Sequence, residues 1–231
     1  MKKILIIILL GLASCSLMTT KTPVATSILT NSDCNLPCWH GITIGRTTKQ
    51  ELLDILGSLA IVNQHSITVI KSADTLFDER VNFTMGEDAT YFKLDNGGSV
   101  KQDYLWLGDV ALLNDKVEQI VLTGDVGLSF QQGIDIFGEP NYLLPSYTPG
   151  MHIWVEALNP SKGLDFGYRA DDLDSEITAN TPIRQIKLFD AELYDQMVDN
   201  KMFQYLLSRS GDIERYAWKG YGKIRMYWHT E

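Results

Sequence analysis

The stretch Thr48-Lys-Gln-Glu-Leu-Leu-Asp-Ile-Leu-Gly57 carries the local signals from which the fold can be predicted. Thr48 and Glu51 match a capping box, in which the side chain of each residue accepts a hydrogen bond from the backbone N–H of the other. A helix is therefore expected to begin at Lys49. Apolar side chains form one face of this helix, and Gly57 is expected to end it.

A second capping box, Ser129-Phe-Gln-Gln132, lies 81 residues further along the chain and is followed by Gly138. After each predicted helix, apolar residues recur with a period of two, which is typical of strands with one buried face. These strands are Ile67–Ile70, Val81–Met85, Ala89–Leu94, Tyr104–Leu107, Val117–Leu122, His152–Glu156, Leu164–Tyr168 and Ile183–Leu188. We therefore predict an α+β fold of two tandem helix-plus-antiparallel-sheet units, residues 34–123 and 124–231.

The C-terminal part of the second unit carries its own signals. Apolar residues at helical spacing predict a helix over Asp190–Ser208. Beyond it, Ile213–Trp218 and Lys223–Trp228 flank a glycine-containing turn, which predicts a closing hairpin. A tight turn would direct its aromatic side chains outward, so Trp218 and Tyr221 are candidate binding residues.

The motif Ile44-Gly45-x-Thr47-x₃-Glu51-Leu52-x₃-Leu56-Gly57, followed by strands, resembles the small outer-membrane-assembly lipoproteins of the SmpA/OmlA type. The tandem doubling is similar to the β-lactamase-inhibitor-protein fold. Both families are binding and scaffolding modules, so the resemblance implies a function without catalysis. The chain departs from the family pattern at Ser58, near which the family often has proline, and at Val126, where the glycine matching Gly45 is expected.

The N-terminus has the features of an export signal. Lys2 and Lys3 precede the apolar run Ile4–Leu10, which is too short to span a bilayer. The run ends in Leu12-Ala-Ser-Cys15, which resembles the lipobox of bacterial lipoproteins. The resemblance implies that residues 1–14 are a cleaved signal peptide and that Cys15 becomes a diacylated, palmitate-bearing N-terminus.

Residues 15–33 would then connect the lipid to the folded part. Small, polar and β-branched residues alternate there without a helical period, which predicts a flexible tether. We expect an extracytoplasmic protein that is anchored to a bacterial membrane by lipid alone. The pattern does not distinguish the inner from the outer membrane.

The other two cysteines, Cys34 and Cys38, form an even pair once Cys15 is lipidated. In an oxidising compartment this pair is expected to form a disulfide. A thiol pair for redox chemistry or metal binding is the alternative. The C-x₃-C spacing is not that of C-x-x-C redox motifs, and His40 alone is a poor third ligand.

The net charge excludes one class of partner. The formal charge is −9, and loss of Lys2 and Lys3 makes it −11 in the mature chain. An acidic surface repels phosphate backbones, so we expect no nucleic-acid partner.

No pattern of catalytic residues is recognisable. The four histidines are far apart, and nucleophile, phosphate-binding and dinucleotide-binding motifs are absent from the sequence. We therefore predict no catalytic residue, no metal ligand and no cofactor. The acidic stretch Asp171–Glu176 offers oxygens to calcium, but it lacks the central glycine of an EF-hand loop, which favours a solvated loop.

Two classes of function remain. The first is a protein-binding and scaffolding module of the cell envelope that works without catalysis. The second is a lipoprotein that binds a solute or glycan in an aromatic-lined cleft, because aromatic residues are numerous along the chain. A hydrolase ranks third, since no set of acid, base and nucleophile is recognisable.

Overall fold

Most of the described chain builds one antiparallel sheet of eight strands. The computed structural model describes residues 37–73, 76–85, 106–124, 127–147, 152–194 and 213–228. Helices are α1 (Lys49–Ser58) and α2 (Phe130–Phe137). The strands are β1 (Cys38–Trp39), β2 (Ile42–Thr43), β3 (Thr68–Lys71), β4 (Glu79–Met85), β5 (Trp106–Leu113), β6 (Lys116–Thr123), β7 (Tyr142–Tyr147), β8 (Ile153–Asn159), β9 (Leu164–Ala170), β10 (Glu176–Ile177), β11 (Gln185–Phe189) and β12 (Gly222–Lys223).

The large sheet has the strand order β3-β4-β5-β6-β11-β9-β8-β7. The prediction of an α+β fold with two helix-plus-sheet units is therefore wrong, because the described chain is dominated by strands in one sheet. The reason is the antiparallel pairing of β6 with β11, in which Gln185 faces Thr123 and Phe189 faces Gln119. Backbone hydrogen bonds thus continue across the expected boundary. The division of the chain at residue 124 itself stays a prediction.

Both capping boxes are confirmed. Thr48 caps α1 together with Glu51, and Ser129 caps α2 together with Gln132. The end of α2 at Gly138 is also as expected, since this residue has a φ of +86°, which favours glycine. Helix α1 passes its expected end at Gly57 and is capped by Leu59 instead.

The main hydrophobic core lies between the helices and one face of the sheet. Leu52 and Leu56 of α1 and Phe130 and Phe137 of α2 are buried there against side chains from β4, β5, β6, β8, β9 and β11. The strands β1 and β2 are not part of the large sheet and form a separate two-stranded ribbon. We call the opposite sheet face, which points away from both helices, the polar face.

A smaller hydrophobic cluster covers one end of the polar face. Leu144 of β7, Leu158 of β8 and Phe189 of β11 are buried there together with Tyr216. The β7–β8–β9–β11 end of the sheet is therefore buried on both faces, whereas β3 to β6 keep exposed or half-buried side chains on the polar face.

The predicted C-terminal hairpin is wrong. Its two arms are short 3₁₀ helices, Ile213–Tyr216 and Ile224–Tyr227, and β12 pairs instead with β10. A hydrogen bond from the Tyr227 hydroxyl to the carbonyl of Gly220 closes the turn at 2.6 Å. Side-chain contacts therefore decide the path of this segment rather than strand pairing.

Several other predicted elements differ in extent. The strand β7 was not expected, because Pro145 interrupts its pattern and proline in a sheet is confined largely to edges and bulges. Residues 89–94 lie outside the described residues, as do residues 195–208 of the predicted C-terminal helix. Within the described part of the chain, no helix has the length and apolar character needed to cross a membrane.

Candidate binding surface of the sheet

Strand β3 forms one outer edge of the sheet, and all four of its residues are exposed. Val69 is 41% exposed and Ile70 is 48% exposed, although both are large apolar side chains. Among the described residues, the only strand that pairs with β3 is β4. In the described part of the chain no strand pairs with the outer side of β3, which is the arrangement by which open sheet edges recruit a partner chain.

The other outer strand, β7, is protected. Pro145 has no backbone N–H, and an isolated bridge joins Tyr142 to Ala217 along the outer side of the strand. Next to it, the backbone N–H of Trp218 donates to the carbonyl of Asn141 at 2.9 Å. Of the two outer strands described, β7 is therefore protected against pairing with a partner, and β3 has the character of a docking strand.

A row of paired residues crosses the polar face from edge to edge. Each residue faces the next across neighbouring strands, so their side chains share one face. The row consists of Thr68, Asn82, Asp109, Val121, Lys187, Asp165, Leu158 and Tyr142, and we call it the polar row. The half that begins at β3 is partly open to solvent. In the other half Lys187, Asp165 and Leu158 are buried, and Tyr142 is half-buried.

A cavity of about 380 Å³ lies over the open half of the polar face. Three of its side chains, Asn82, Asp109 and Thr123, come from three adjacent strands, and Leu107 is 40% exposed beside them. The complete lining is Ser66, Asn82, Phe83, Thr84, Leu107, Gly108, Asp109 and Thr123. The volume is within the range of about 300–1,000 Å³ that ligand pockets occupy.

The buried half of the polar row contains three charged groups in contact. The Lys187 ammonium donates to Glu156 Oε1 at 2.8 Å and to Asp165 Oδ2 at 2.9 Å. All three side chains are less than a tenth exposed. The neighbouring carboxylates raise the pKa of Lys187 above its usual value, although burial by itself would lower it. The ammonium is therefore charged throughout the physiological pH range.

Two carboxyl groups face one ammonium, so this cluster carries a surplus negative charge if both are ionised. Burial first, and then the charge of Glu156, raises the pKa of Asp165. The Oδ1 atom of Asp165 is buried and has no hydrogen-bond partner within the described residues. A proton held on Asp165 removes the surplus charge, and we expect this proton to be present in mildly acidic solution.

Glu118 is a further buried carboxyl group, at the bulge where β6 shifts register against β5. Burial, and then the nearby charge of Asp190, raises the pKa of Glu118 to about 7, and Lys116 opposes this rise. Its Oε2 atom is buried and finds no partner in the part of the chain that the structure describes. Glu118 therefore takes up a proton near neutral pH.

The candidate binding residues Trp218 and Tyr221 lie together, with ring centroids 5.8 Å apart. The Trp218 ring is half-buried and stacks between Phe130, at 5.6 Å, and Tyr227, at 6.0 Å. Tyr221 is 39% exposed, and its hydroxyl donates to Gln131 Oε1 at 2.6 Å. Trp218 thus contributes to the core, and Tyr221 is the member of the pair that a partner can reach. Their role in binding stays a prediction.

Neither of two cavities in the described residues is an aromatic-lined cleft. One contains a single aromatic residue, Phe83, and a second, of about 420 Å³ beside α1, contains none. Phe166 and Tyr168 pack on Phe130 inside the core rather than around an opening. The geometry therefore does not add support to the solute- or glycan-binding alternative.

The acidic stretch Asp171–Glu176 has basic partners. Both carboxylate oxygens of Asp174 accept hydrogen bonds from Arg225, at 3.1 and 3.0 Å, and Asp171 lies 3.4 Å from His152 Nδ1. Asp172 accepts hydrogen bonds from the loop backbone and from Ser175. Within the described ranges, no group of three or more His, Cys, Asp or Glu side chains is placed to hold a metal ion.

The predicted cysteine sites fall mostly outside the described residues. Cys15 and Cys34 lie there, and Cys38 is buried at the start of β1. The lipidation of Cys15 and the disulfide between Cys34 and Cys38 stay predictions.

Sequence reasoning missed the most distinctive groups of this surface. Lys187 and Glu118 were read only as members of strands, and Asn82 and Asp109 were not singled out. A charged residue in an apolar run, as in Gln185-Ile-Lys-Leu-Phe189, is the available signal of a buried ion pair. Its partners on β8 and β9 follow only from the register.

Comparisons with protein-family models, with curated proteins and with solved structures found no significant match.

Proposed function

We propose that this protein is a lipid-anchored module of the bacterial envelope that binds another protein and has no catalytic activity of its own. The observation that carries the proposal is the open edge strand β3, with exposed Val69 and Ile70. An extended segment of the partner would add to the sheet beside β3. The SmpA/OmlA resemblance, which implies a binding module, is in line with this proposal.

The edge alone is too small for stable binding. Four residues offer about four outward backbone hydrogen bonds, each contributing roughly 1 kcal/mol. Burying the exposed parts of Val69 and Ile70 adds about 1 kcal/mol each. The loss of translational and rotational freedom on association opposes this gain with about 4–15 kcal/mol. We therefore expect the partner to cover part of the polar face as well, toward the roughly 800 Å² per protein of a typical interface.

The membrane anchor is the first part of the proposal to test. We expect the mature protein to partition into the detergent phase, and Cys15→Ser to move it into the aqueous phase, because two acyl chains supply the membrane affinity. Phase separation of cell extracts followed by immunoblotting measures this. Partitioning of Cys15→Ser into detergent would contradict a lipid anchor.

The edge-strand interaction can be tested by photocrosslinking in intact cells. With a photoreactive phenylalanine at position 70, we expect one protein to be captured reproducibly, because Ile70 lies where the partner strand would pair. Ile136 on α2 is the matched control, since it is 47% exposed against 48% for Ile70 but lies on a helix. Mass spectrometry identifies the captured protein.

The same experiment separates the two classes of function. Val69→Lys should suppress crosslinking at position 70, because charged side chains block the addition of a strand. Equal capture at positions 70 and 136 would mean that the edge is not the site. No captured protein, together with a glycan or small solute that raises the melting temperature, would favour the solute-binding alternative.

A further inference from the structure

The cavity on the polar face has hydrogen-bonding capacity that the protein leaves unused. The Thr84 hydroxyl oxygen is buried and has no hydrogen-bond partner among the described residues, and the half-buried Asn82 amide makes no hydrogen bond there. Asp109 uses Oδ1 to accept from Arg80 at 2.6 Å, and its Oδ2 makes no bond in the described part of the chain. A buried polar atom without a partner, such as the Thr84 hydroxyl, is uncommon and favours a bound polar group, whereas Asn82 and Asp109 are partly open to solvent.

The unused groups at the cavity can all act as acceptors. They are the free oxygen of Asp109, the Asn82 carbonyl and the Thr84 hydroxyl. Leu107, 40% exposed, adds an apolar surface beside them. This combination of a carboxylate, neutral acceptors and an aliphatic wall suits a long side chain with a cationic end, whose methylene stem packs on apolar surface.

The position of Arg80 leaves the cavity accessible to a second cation. Arg80 faces Ala111, outside the polar row, and its guanidinium lies 5.7 Å from the centre of the Phe77 ring. Arg80 is not part of the cavity lining, whereas Asp109 is. The formal charge of −9 adds a long-range attraction for basic partners.

We infer that the cavity receives a lysine or arginine side chain from the bound partner, with Asp109 as its counter-ion and Leu107 against its stem. This inference rests on the proposed protein-binding function and names the chemistry of the partner. The cavity lies at the same end of the polar row as Thr68 on β3. Its Asp109 is on β5, two strands away from β3, which corresponds to roughly 10 Å. A partner paired with β3 can therefore reach the cavity with a side chain next to its docked segment.

The test uses the full-length protein in detergent micelles and acetyl-Gly-Arg-Gly-amide as the probe. Saturation-transfer NMR detects binding of the peptide. The same peptide with citrulline in place of arginine has a similar shape without the charge. We expect the arginine peptide to bind and the citrulline peptide to bind at least about tenfold more weakly.

Asp109→Asn should weaken binding of the arginine peptide by about tenfold. Asp174→Asn is the matched control, because Asp174 is also an aspartate paired with an arginine and its replacement changes the net charge equally. Thr84→Val keeps the shape of the site and should weaken binding several-fold, which covers the case that Asp109→Asn unfolds the protein.

Equal binding of the two peptides would overturn the inference, as would equal loss in Asp109→Asn and Asp174→Asn, which would indicate only a diffuse charge effect. Neither result would affect crosslinking at position 70. A failure of the inference about the cavity can therefore be distinguished from a failure of the proposed function.

Discussion

Replacing Lys187 with methionine is expected to lower the free energy of unfolding by about 3–5 kcal/mol. The change removes the cation that contacts Glu156 at 2.8 Å and Asp165 at 2.9 Å. Methionine fills a similar volume. The decrease in the free energy of unfolding therefore measures the cost of leaving the two carboxyl groups buried without their cation. Folded domains have total stabilities of about 5–15 kcal/mol, so this single change approaches the limit of what the fold can lose.

Urea denaturation at pH 7, followed by tryptophan fluorescence and circular dichroism, measures this loss. A chain lacking residues 1–15 is suitable, since it retains every described residue. Lys49→Met is the matched control, because Lys49 forms a 2.7 Å ion pair with Glu79 in which both side chains are about a third exposed. Exposed pairs contribute about 0–1 kcal/mol. A similar loss in both variants would show that burial of the Lys187 cluster is not what stabilises it.

Raising the pH from 5 to 8 is expected to destabilise the protein. Burial raises the pKa of Glu118 to about 7, against about 4.3 in an unfolded chain. Between these values the folded state holds a proton that the unfolded state has released, so the contribution of Glu118 to stability is fully present below pH 4.3 and is lost as the pH rises through 7. The loss from Glu118 alone is on the order of 3 kcal/mol. The raised pKa of Asp165 adds a loss of the same sign.

Glu118→Gln isolates the contribution of Glu118. Glutamine resembles the protonated side chain, so the variant should be more stable than the wild type at pH 8 and of similar stability at pH 5. Its free energy of unfolding should also depend less steeply on pH. Glu176→Gln, at an exposed position, should leave the pH dependence unchanged. If Glu118→Gln and the wild type lose stability in parallel between pH 5 and 8, Glu118 is ionised throughout.

Local signals account for the parts of the fold that were predicted. The capping boxes at Thr48 and Ser129 depend on residues three apart, whose contacts form within one turn of helix. The strand Val81–Met85 alternates clearly enough to be recognised in isolation. Such features need no knowledge of the rest of the chain.

The candidate binding surface could not be predicted in the same way. Asn82, Asp109 and Lys187 lie on three different strands and become neighbours in one row only through the register of four paired strands. The bulge between Ala111 and Leu112 shifts that register. Since a one-residue slip exchanges the two faces of a strand, no spacing in the sequence reveals this row.

The sequence by itself determined where the two helices begin and which segments have the alternation of strands, while the export signal and lipid anchor stay predictions. These are properties of short segments, decided by local hydrogen bonds and by length and polarity. Only the tertiary structure decided that β6 pairs with β11 to make one sheet, that Trp218 packs into the core, and that β3 lies at the edge of the described sheet. Those outcomes depend on competition among distant strands and side chains for the same hydrogen bonds and the same buried volume, which no local segment records.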